Sequence, residues 1–516
     1  MSEAIVLTTA GNVRGETANG VHSFKGVPYG ATTGGVARFM PPKPAAKWDG
    51  VREATAYGPA AFQVRTPRVE GAPILMEAGI GEMSEDCLVL NVWSRGLGDG
   101  GKRPVMVWLH GGGMFLGSGD HLAMYDGASL TRRGDVVVVS VNHRLGILGY
   151  LHLGGLLGEA YATSGNAGML DLVLALEWVR DNAEAFGGDP GNVTIFGESG
   201  GGMKVSILLA MPAAKGLFHR AIVESGPGLQ CLTPEVATRS ARELLAELGI
   251  DESRAADLHD VPADRIVEAQ DALGKRGGSL LAGGANFSPV VDGLSVPAHP
   301  FDPVASPLAA GVPLLIGTNK DEMTLFLMAI PGYRSMDEAA MRERLKAMLT
   351  MRLGDQISAD GMEGLISAYR RTRPEATPTD LLVAITSDRM RMGSIRLAER
   401  KAAASTAPVF MYLFTWESPA FGGLMKSCHI LEMPFVFDNV AEPYMLIGDS
   451  PERHELGARM SGAWISFARH GDPNHEGLPR WPTYDPEKRA TMIFNSQCRI
   501  ENDPAAEERL AWSGVM

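Results

Sequence analysis

The pattern of apolar and polar positions changes along the chain, and the change predicts two kinds of strand. Within the first 100 residues, short alternating runs at 5–7, 24–29 and 87–93 are broken by Gly and Pro. Such runs are typical of antiparallel strands at the edge of a sheet. Residues 104–109 and 135–141 are nearly continuous apolar runs instead. These indicate strands buried on both faces of a parallel sheet.

Helical spacing then alternates with further apolar strands. Apolar residues recur at helical intervals over 170–186, and Gly187 and Gly188 follow them. Beyond them, the pattern predicts a helix at 205–211 and four strands, at 193–196, 221–223, 313–316 and 408–414. Alternation of this kind predicts a doubly wound, mostly parallel α/β sheet with the antiparallel strands at its N-terminal edge.

Two long stretches differ from this alternation. Residues 233–275 and about 336–403 are charged and amphipathic, which predicts helical insertions that cover the strand ends and wall the binding pocket. Residues 62–87, with Pro67 and Pro73, predict a surface flap near that pocket. Because there is no internal repeat or low-complexity linker, we expect residues 1–516 to form one catalytic domain.

Composition narrows the class of protein. Hydrophobic residues make up 45% and charged residues 21%, which is ordinary for a globular chain, and the net charge of −13 disfavours a nucleic-acid partner. The first residues lack a basic region followed by a long apolar one, so we expect no signal peptide, and the longest β-branched run, 136–141, is too short to span a bilayer. Four scattered cysteines without C-x-x-C spacing give no zinc site. We therefore expect a cytoplasmic protein, monomeric or dimeric.

Candidate chemistry begins at Gly197-Glu198-Ser199-Gly200-Gly201, between a predicted strand and a predicted helix. At such a sharp turn, glycines two residues before and after the serine let the strand and helix approach closely. This is the nucleophile elbow G-x-S-x-G. The pattern alone arises by chance in a chain with 62 glycines, but its flanking elements favour a nucleophilic Ser199.

An acyl-transfer serine also needs amide donors for the oxyanion. His110-Gly111-Gly112-Gly113 follows the strand at 104–109, as an oxyanion loop does. The alternatives are a glycine-rich turn without a ligand and a phosphate loop. The phosphate loop is disfavoured because its Lys and Ser/Thr, and the G-x-G-x-x-G spacing of dinucleotide sites, are absent.

The acid and the base must follow the serine along the chain in an α/β-hydrolase. Asp321 and Glu322 lie just beyond the strand at 313–316, and His429 is one of 12 histidines. The residues alone leave both choices open.

Ordered motifs extend almost from end to end of the chain: FKGVPY at 24–29, SEDCL at 84–88, NV at 91–92, GGG at 111–113, NHRLG at 142–146, FGGDP at 186–190, the elbow, ESG at 224–226, PVVDG at 289–293 and GDPN at 471–474. With these motifs the chain resembles the type-B carboxylesterase family, which includes bacterial carboxylesterases and cholinesterases. The resemblance implies the α/β-hydrolase fold and serine ester hydrolysis without a cofactor or a metal.

The same resemblance implies roles for individual residues. Ser199 would be the nucleophile, Glu322 the acid and His429 the base, with Asp321 as the alternative acid. The oxyanion N–H groups would come from Gly112, Gly113 and Gly200, and Glu198 and Ser225 would order the triad.

Three departures from the family pattern stand out. Gly200 replaces the usual alanine, which we expect to loosen the loop. Cys87 lacks its family disulfide partner, because Ala61 lies where that cysteine would fall. Polar residues precede His429, and among them Cys428 either packs in the core or reacts.

The predicted activity is hydrolysis of small to medium, largely apolar carboxylic esters through an acyl-enzyme on Ser199. Five apolar residues beside the site either line the pocket or pack in the core: Met114, Phe115, Phe287, Met323 and Phe326. Since the base must be neutral, we expect an acid limb in the pH–rate profile at roughly pH 6–7. Amide or carbamate hydrolysis with the same triad, and a non-catalytic binding protein on this fold, are the alternatives. A cholinesterase is disfavoured, because the family resemblance implies that a choline site would use a tryptophan in the flap, and residues 62–83 contain none.

Overall fold

The computed structural model describes residues 4–65, 80–276, 287–328, 330, 332–353, 357–404, 406–441, 446–513 and 515. The middle of the predicted flap, residues 66–79, lies outside this description. The described residues contain thirteen strands: β1 (Ala4–Leu7), β2 (Asn12–Ala18), β3 (Val21–Pro28), β4 (Val51–Glu53), β5 (Val89–Ser94), β6 (Arg103–Leu109), β7 (Val137–Val141), β8 (Gly188–Glu198), β9 (Arg220–Glu224), β10 (Leu314–Asn319), β11 (Val409–Phe414), β12 (Ala490–Phe494) and β13 (Arg499–Asn502).

Fourteen α-helices accompany these strands in the described ranges: α1 (Ala128–Gly134), α2 (Gly146–Tyr150), α3 (Gly154–Leu157), α4 (Ala167–Asn182), α5 (Gly200–Leu208), α6 (Pro234–Leu248), α7 (Ala263–Arg276), α8 (Thr324–Leu327), α9 (Glu338–Leu353), α10 (Ala359–Thr372), α11 (Pro378–Ala404), α12 (Met433–Val436), α13 (Glu452–His470) and α14 (Ala506–Trp512). Across the same ranges, no helix combines the length and the apolar composition that a membrane span requires.

One sheet joins the strands in the order β1-β2-β3-β5-β7-β6-β8-β9-β10-β11-β12-β13, and β4 pairs with β2. The seven strands from β7 to β12 in this order are parallel to their neighbours. Antiparallel pairs connect β1, β2, β3, β5 and β7 at one edge, and β13 pairs antiparallel with β12 at the other. This confirms the predicted doubly wound, mostly parallel sheet with an antiparallel N-terminal edge.

Side chains along the central strands alternate between two hydrophobic cores. In β6, Val105, Val107 and Leu109 belong to one core, which also contains residues of α4 and α5. Met106 and Trp108 belong to the other core, which contains residues of α13. Both faces of β6 are therefore buried, as its continuous apolar run predicts.

The two amphipathic stretches are helical. Residues 233–275 contain α6 and most of α7, and residues 336–403 contain α9, α10 and nearly all of α11. On α11, the Ser387 hydroxyl accepts a hydrogen bond of 2.9 Å from the backbone N–H of Met323, beside Glu322. This contact places α11 next to the predicted site, while the single-domain organisation of the whole chain remains a prediction.

A buried ion pair holds the segment after β7 against α4. The Arg144 guanidinium donates to both carboxylate oxygens of Asp171, at 2.9 and 2.6 Å, and the Arg144 backbone N–H donates at 3.0 Å. The two side chains are only 3% and 0% exposed. Breaking such a pair from one side leaves an uncompensated buried charge.

Asp171→Ala should therefore lower the free energy of unfolding by about 3–5 kcal/mol. Urea denaturation of the variant beside the wild type measures the loss. The matched control on the same helix is Asp181→Ala, because the Arg180–Asp181 pair is about half exposed and should contribute little. Losses of equal size in the two variants would contradict a structural role specific to the buried pair.

Candidate active site

The elbow forms where β8 passes into α5. Ser199 has φ 56° and ψ −119°, is half-buried, and donates its backbone N–H to the Glu224 carbonyl at 2.8 Å. A Cβ on Gly197 would lie 2.7 Å from the carbonyl oxygen of Leu109, and a Cβ on Gly201 would lie 1.9 Å from it. Only glycine at these two positions lets α5 lie this close to the end of β6.

His429 and Glu322 come from distant parts of the chain and meet in the interior. Glu322 follows β10 and His429 precedes α12, and their side chains are 0% and 6% exposed. The distance from His429 Nδ1 to Glu322 Oε2 is 2.5 Å. The other carboxylate oxygen, Oε1, accepts the backbone N–H of Asn319 at 2.8 Å, which fixes the orientation of the carboxylate.

Asp321, the alternative acid, has other contacts. Its Oδ2 accepts a hydrogen bond from the backbone N–H of Ser427 at 3.3 Å and lies 3.4 Å from the ammonium of Lys320. The structure thus brings Glu322, and not Asp321, to His429.

The second ring nitrogen of His429 faces the residue beside the serine. His429 Nε2 lies 3.0 Å from Glu198 Oε1, and Glu198 is 1% exposed. Within the described residues, no hydrogen bond joins Ser199 Oγ to His429. To accept the serine proton, His429 Nε2 has to turn from Glu198 to Ser199.

The two carboxylates change the protonation of His429. Burial disfavours the imidazolium, but the negative charges of Glu198 and Glu322 outweigh this and raise the pKa of His429 well above its ordinary value. Since hydrolysis needs the neutral base, this shift moves the expected acid limb upward from the range inferred from the sequence.

The glycine loop lies directly against the elbow. Gly112 and Gly113 have φ values of 85° and 64°, which favour glycine. A Cβ on Gly200 would lie 2.1 Å from the Gly113 carbonyl oxygen and 2.5 Å from its nitrogen. This tight approach brings two of the three predicted oxyanion residues together, while the loosening expected from Gly200 stays a prediction.

Two further buried groups were missed by sequence reasoning, Asn319 and Glu432. The Asn319 amide donates to Glu432 Oε2 at 2.5 Å, and the Ser225 hydroxyl lies 3.4 Å from Glu432 Oε1. Burial and the neighbouring carboxylates raise the pKa of Glu432 well above its ordinary value. A signal for Glu432 was present, because an acid three residues after His429 interrupts an apolar run.

The cysteine next to His429 is not poised to react. Cys428 is fully buried, and burial raises the pKa of its thiol well above the ordinary value, so the nucleophilic thiolate is disfavoured. Cys87 is buried and free.

The five apolar candidates for the pocket divide into two groups. Met114 and Phe287 are 1% and 3% exposed and belong to a core. The Phe326 ring lies 5.1 Å from the His429 ring, and a Cβ on Gly113 would lie 2.9 Å from the Phe115 ring. Met323, half-buried, follows Glu322 directly. Phe115 and Phe326 therefore lie beside predicted site residues, and Met323 adjoins Glu322 in the chain.

Known proteins of one family are similar to this chain over nearly its whole length. The carboxylesterase family model matches residues 2–512. Para-nitrobenzyl esterase of Bacillus subtilis (strain 168) is 39% identical over 99% of this chain and 98% of its own. Phenmedipham hydrolase of Pseudarthrobacter oxydans is 34% identical over 96% of each chain. A crystal structure of a Geobacillus stearothermophilus carboxylesterase has a TM-score of 0.84 at 40% identity, covering 98% of this chain and 99% of its own.

Glu198→Gln should move the acid limb of kcat/KM to lower pH by about 1–2 units. Removing one negative charge at 3.0 Å lowers the pKa of His429, so the neutral base persists to lower pH. The control is Asp321→Asn, a buried acid that does not touch His429 and should leave the limb in place. An unshifted limb in Glu198→Gln would show that Glu198 does not set the protonation of the base.

Gly201→Ala should lower kcat by about tenfold or more, toward the ~10²–10³ loss typical of a missing oxyanion donor. The added Cβ would lie 1.9 Å from the Leu109 carbonyl oxygen and push α5 away from the end of β6. Steady-state kinetics test this beside Gly364→Ala, whose added methyl meets open space on α10. A wild-type kcat in Gly201→Ala would contradict the tight approach.

Proposed function

The chain belongs to the carboxylesterase family and is a carboxylic ester hydrolase, and we propose that Ser199, His429 and Glu322 are its catalytic triad. The observation that carries this proposal is the position of His429. One ring nitrogen is held by Glu322, and the other lies 3.0 Å from the carboxylate of Glu198, the neighbour of the serine in the strained turn.

In the proposed first step, His429 accepts the Ser199 hydroxyl proton at Nε2 while the serine oxygen attacks the ester carbonyl carbon. Glu322 keeps the Nδ1 proton in place and stabilises the imidazolium that forms. The imidazolium then gives its proton to the departing alcohol. In the second step, water deprotonated by His429 attacks the acyl-enzyme carbonyl carbon. The imidazolium then returns the proton to the Ser199 oxygen as its bond to the acyl carbon breaks, which releases the carboxylic acid and restores the serine.

The proposed oxyanion donors are the backbone N–H groups of Gly112, Gly113 and Gly200. The close approach of Gly113 to Gly200 supports this set, because the donors have to converge on one oxygen. Fixed donors of this kind stabilise the negative charge that develops in the transition state.

We propose small to medium, largely apolar esters as substrates. The support is the apolar surroundings of the base, with the Phe326 ring against His429 and Phe115 beside the glycine loop. A cytoplasmic location is part of the same proposal, supported by four free cysteines, which suit a reducing compartment.

Ser199→Ala should lower kcat for p-nitrophenyl esters by at least about 10⁴-fold, because the variant lacks the hydroxyl on which the proposed acyl-enzyme forms. Wild type and variant are compared on acetate, butyrate and octanoate esters, and the chain-length profile of the wild type measures the acyl site. The exposed Ser513→Ala is the control and should behave as the wild type. Equal activity in Ser199→Ala and the wild type would identify Ser199 as the wrong residue.

A further inference from the structure

A buried lysine lies on the helix that follows Ser199. Lys204, on α5, is 0% exposed, although the helix around it is almost entirely apolar. Among the described residues, no carboxylate forms an ion pair with it. Burial lowers the pKa of Lys204 to about 7, because the ammonium is disfavoured in the protein interior.

The ammonium of Lys204 contacts the start of the glycine loop. Its Nζ donates a hydrogen bond of 2.9 Å to the carbonyl oxygen of His110. His110 joins the end of β6 to the Gly111–Gly113 loop. The bond therefore ties the helix that begins at the serine to the loop that would hold the oxyanion.

Three imidazoles lie near Lys204, those of His110, His121 and His143. The His110 and His143 rings stack at 5.1 Å, and each donates Nδ1–H to a backbone carbonyl, at 2.9 and 2.8 Å. In the described part of the chain, neither Nε2 has a hydrogen-bond partner. Burial first, and then the charge of Lys204, lowers the pKa values of His110, His121 and His143. Lys204 is thus the most basic group of a cluster whose histidines are neutral.

Buried carboxylates on the elements packed against α5 face other groups. Asp171 on α4 is paired with Arg144, and Glu198 at the end of β8 faces His429. Glu224, at the end of β9, is fully buried near Glu432 and Glu198. A lysine without a counter-ion beside the proposed oxyanion loop is hard to explain as a contribution to stability, because an apolar side chain of similar shape would fill the space at lower cost.

We propose that Lys204 is a positioning residue: it holds the His110 carbonyl, and thereby keeps the N–H groups of the Gly111–Gly113 loop at a fixed distance from the N–H group of Gly200. The inference rests on the proposed oxyanion role of this loop. The three glycines of the loop have no side chains that could anchor it. The loop also begins close to α5, because a Cβ on Gly201 would lie 3.2 Å from the His110 carbonyl oxygen. A charge-assisted hydrogen bond at this point fixes the spacing between the donors.

Lys204→Met tests the proposal, because methionine matches the length of the buried stem but cannot donate. We expect kcat for p-nitrophenyl acetate to fall about tenfold to a hundredfold, less than the ~10²–10³ loss of a donor itself. KM should stay within about threefold, since the bond acts on the transition state rather than on bound substrate. The melting temperature should equal or exceed that of the wild type, because a buried charge has been removed.

A pair of inhibitors separates positioning from general damage. A trifluoromethyl ketone forms a tetrahedral oxyanion on the serine, whereas the corresponding methyl ketone binds largely as an uncharged ground-state analogue. In Lys204→Met, affinity for the trifluoromethyl ketone should fall in parallel with kcat/KM, and affinity for the methyl ketone should stay near the wild-type value.

The matched control is Lys401→Met. Lys401 is also 0% exposed and donates Nζ to a backbone carbonyl, that of Ala310 at 3.3 Å, but it lies on α11. It should leave kcat and both inhibitor affinities unchanged. A wild-type kcat in Lys204→Met, a fall in its melting temperature, or equal losses in the two lysine variants would each overturn the inference. If Ser199→Ala is inactive while Lys204→Met retains the wild-type kcat, only this inference fails and the proposed function stands.

Discussion

The closeness of α5 to the end of β6 is the constraint on which the rest of the site depends. Gly197 and Gly201 leave no room for a side chain beside the Leu109 carbonyl, and this contact forces the turn in which Ser199 takes a positive φ. The same approach brings the glycine loop that follows β6 against Gly200. One steric condition therefore determines both the strained backbone conformation of Ser199 and the distance of Ser199 from the glycine loop.

The sequence could predict those parts of the fold and the site whose structure is determined by residues close together in the chain. The elbow and the glycine loop were predictable because their geometry requires particular residues at fixed short spacings, and the central strands because burial on both faces leaves continuous apolar runs such as that of β6. Strands β2, β4, β12 and β13 were missed. β2, for instance, includes Arg14, Gly15 and Glu16, so its apolar signal is weak, and its pairing with β1 and β3 supplies what its own pattern lacks.

Long-range pairs were the least predictable part of the site. The residues alone left Asp321 and Glu322 as equal candidates, and only the resemblance to a family chose between them. In the fold the difference has a physical origin, because the turn after β10 directs Glu322 to His429 and Asp321 to the Ser427 backbone. Asn319, Glu432 and Lys204 carry no motif. Their hydrogen-bond partners lie 94 residues away for Lys204 and 113 residues away for Asn319 and Glu432, which a local pattern does not reveal.

Buried charge explains why the pKa of His429 is raised although the ring is buried. Glu198, Glu322 and Glu432 lie in an interior where each carboxylate repels the others, and burial raises the pKa of Glu198 and Glu432. His429 between Glu198 and Glu322 relieves part of that repulsion when it is protonated, which is why its pKa is raised. The raised pKa favours the imidazolium facing Glu198, whereas the proposed reaction needs the neutral ring facing Ser199. When the ring accepts the serine proton in the proposed first step, the two carboxylates stabilise the imidazolium that results. In the proposed mechanism, the charges that favour the unreactive imidazolium at low pH are therefore the same charges that lower the barrier once the ring is neutral.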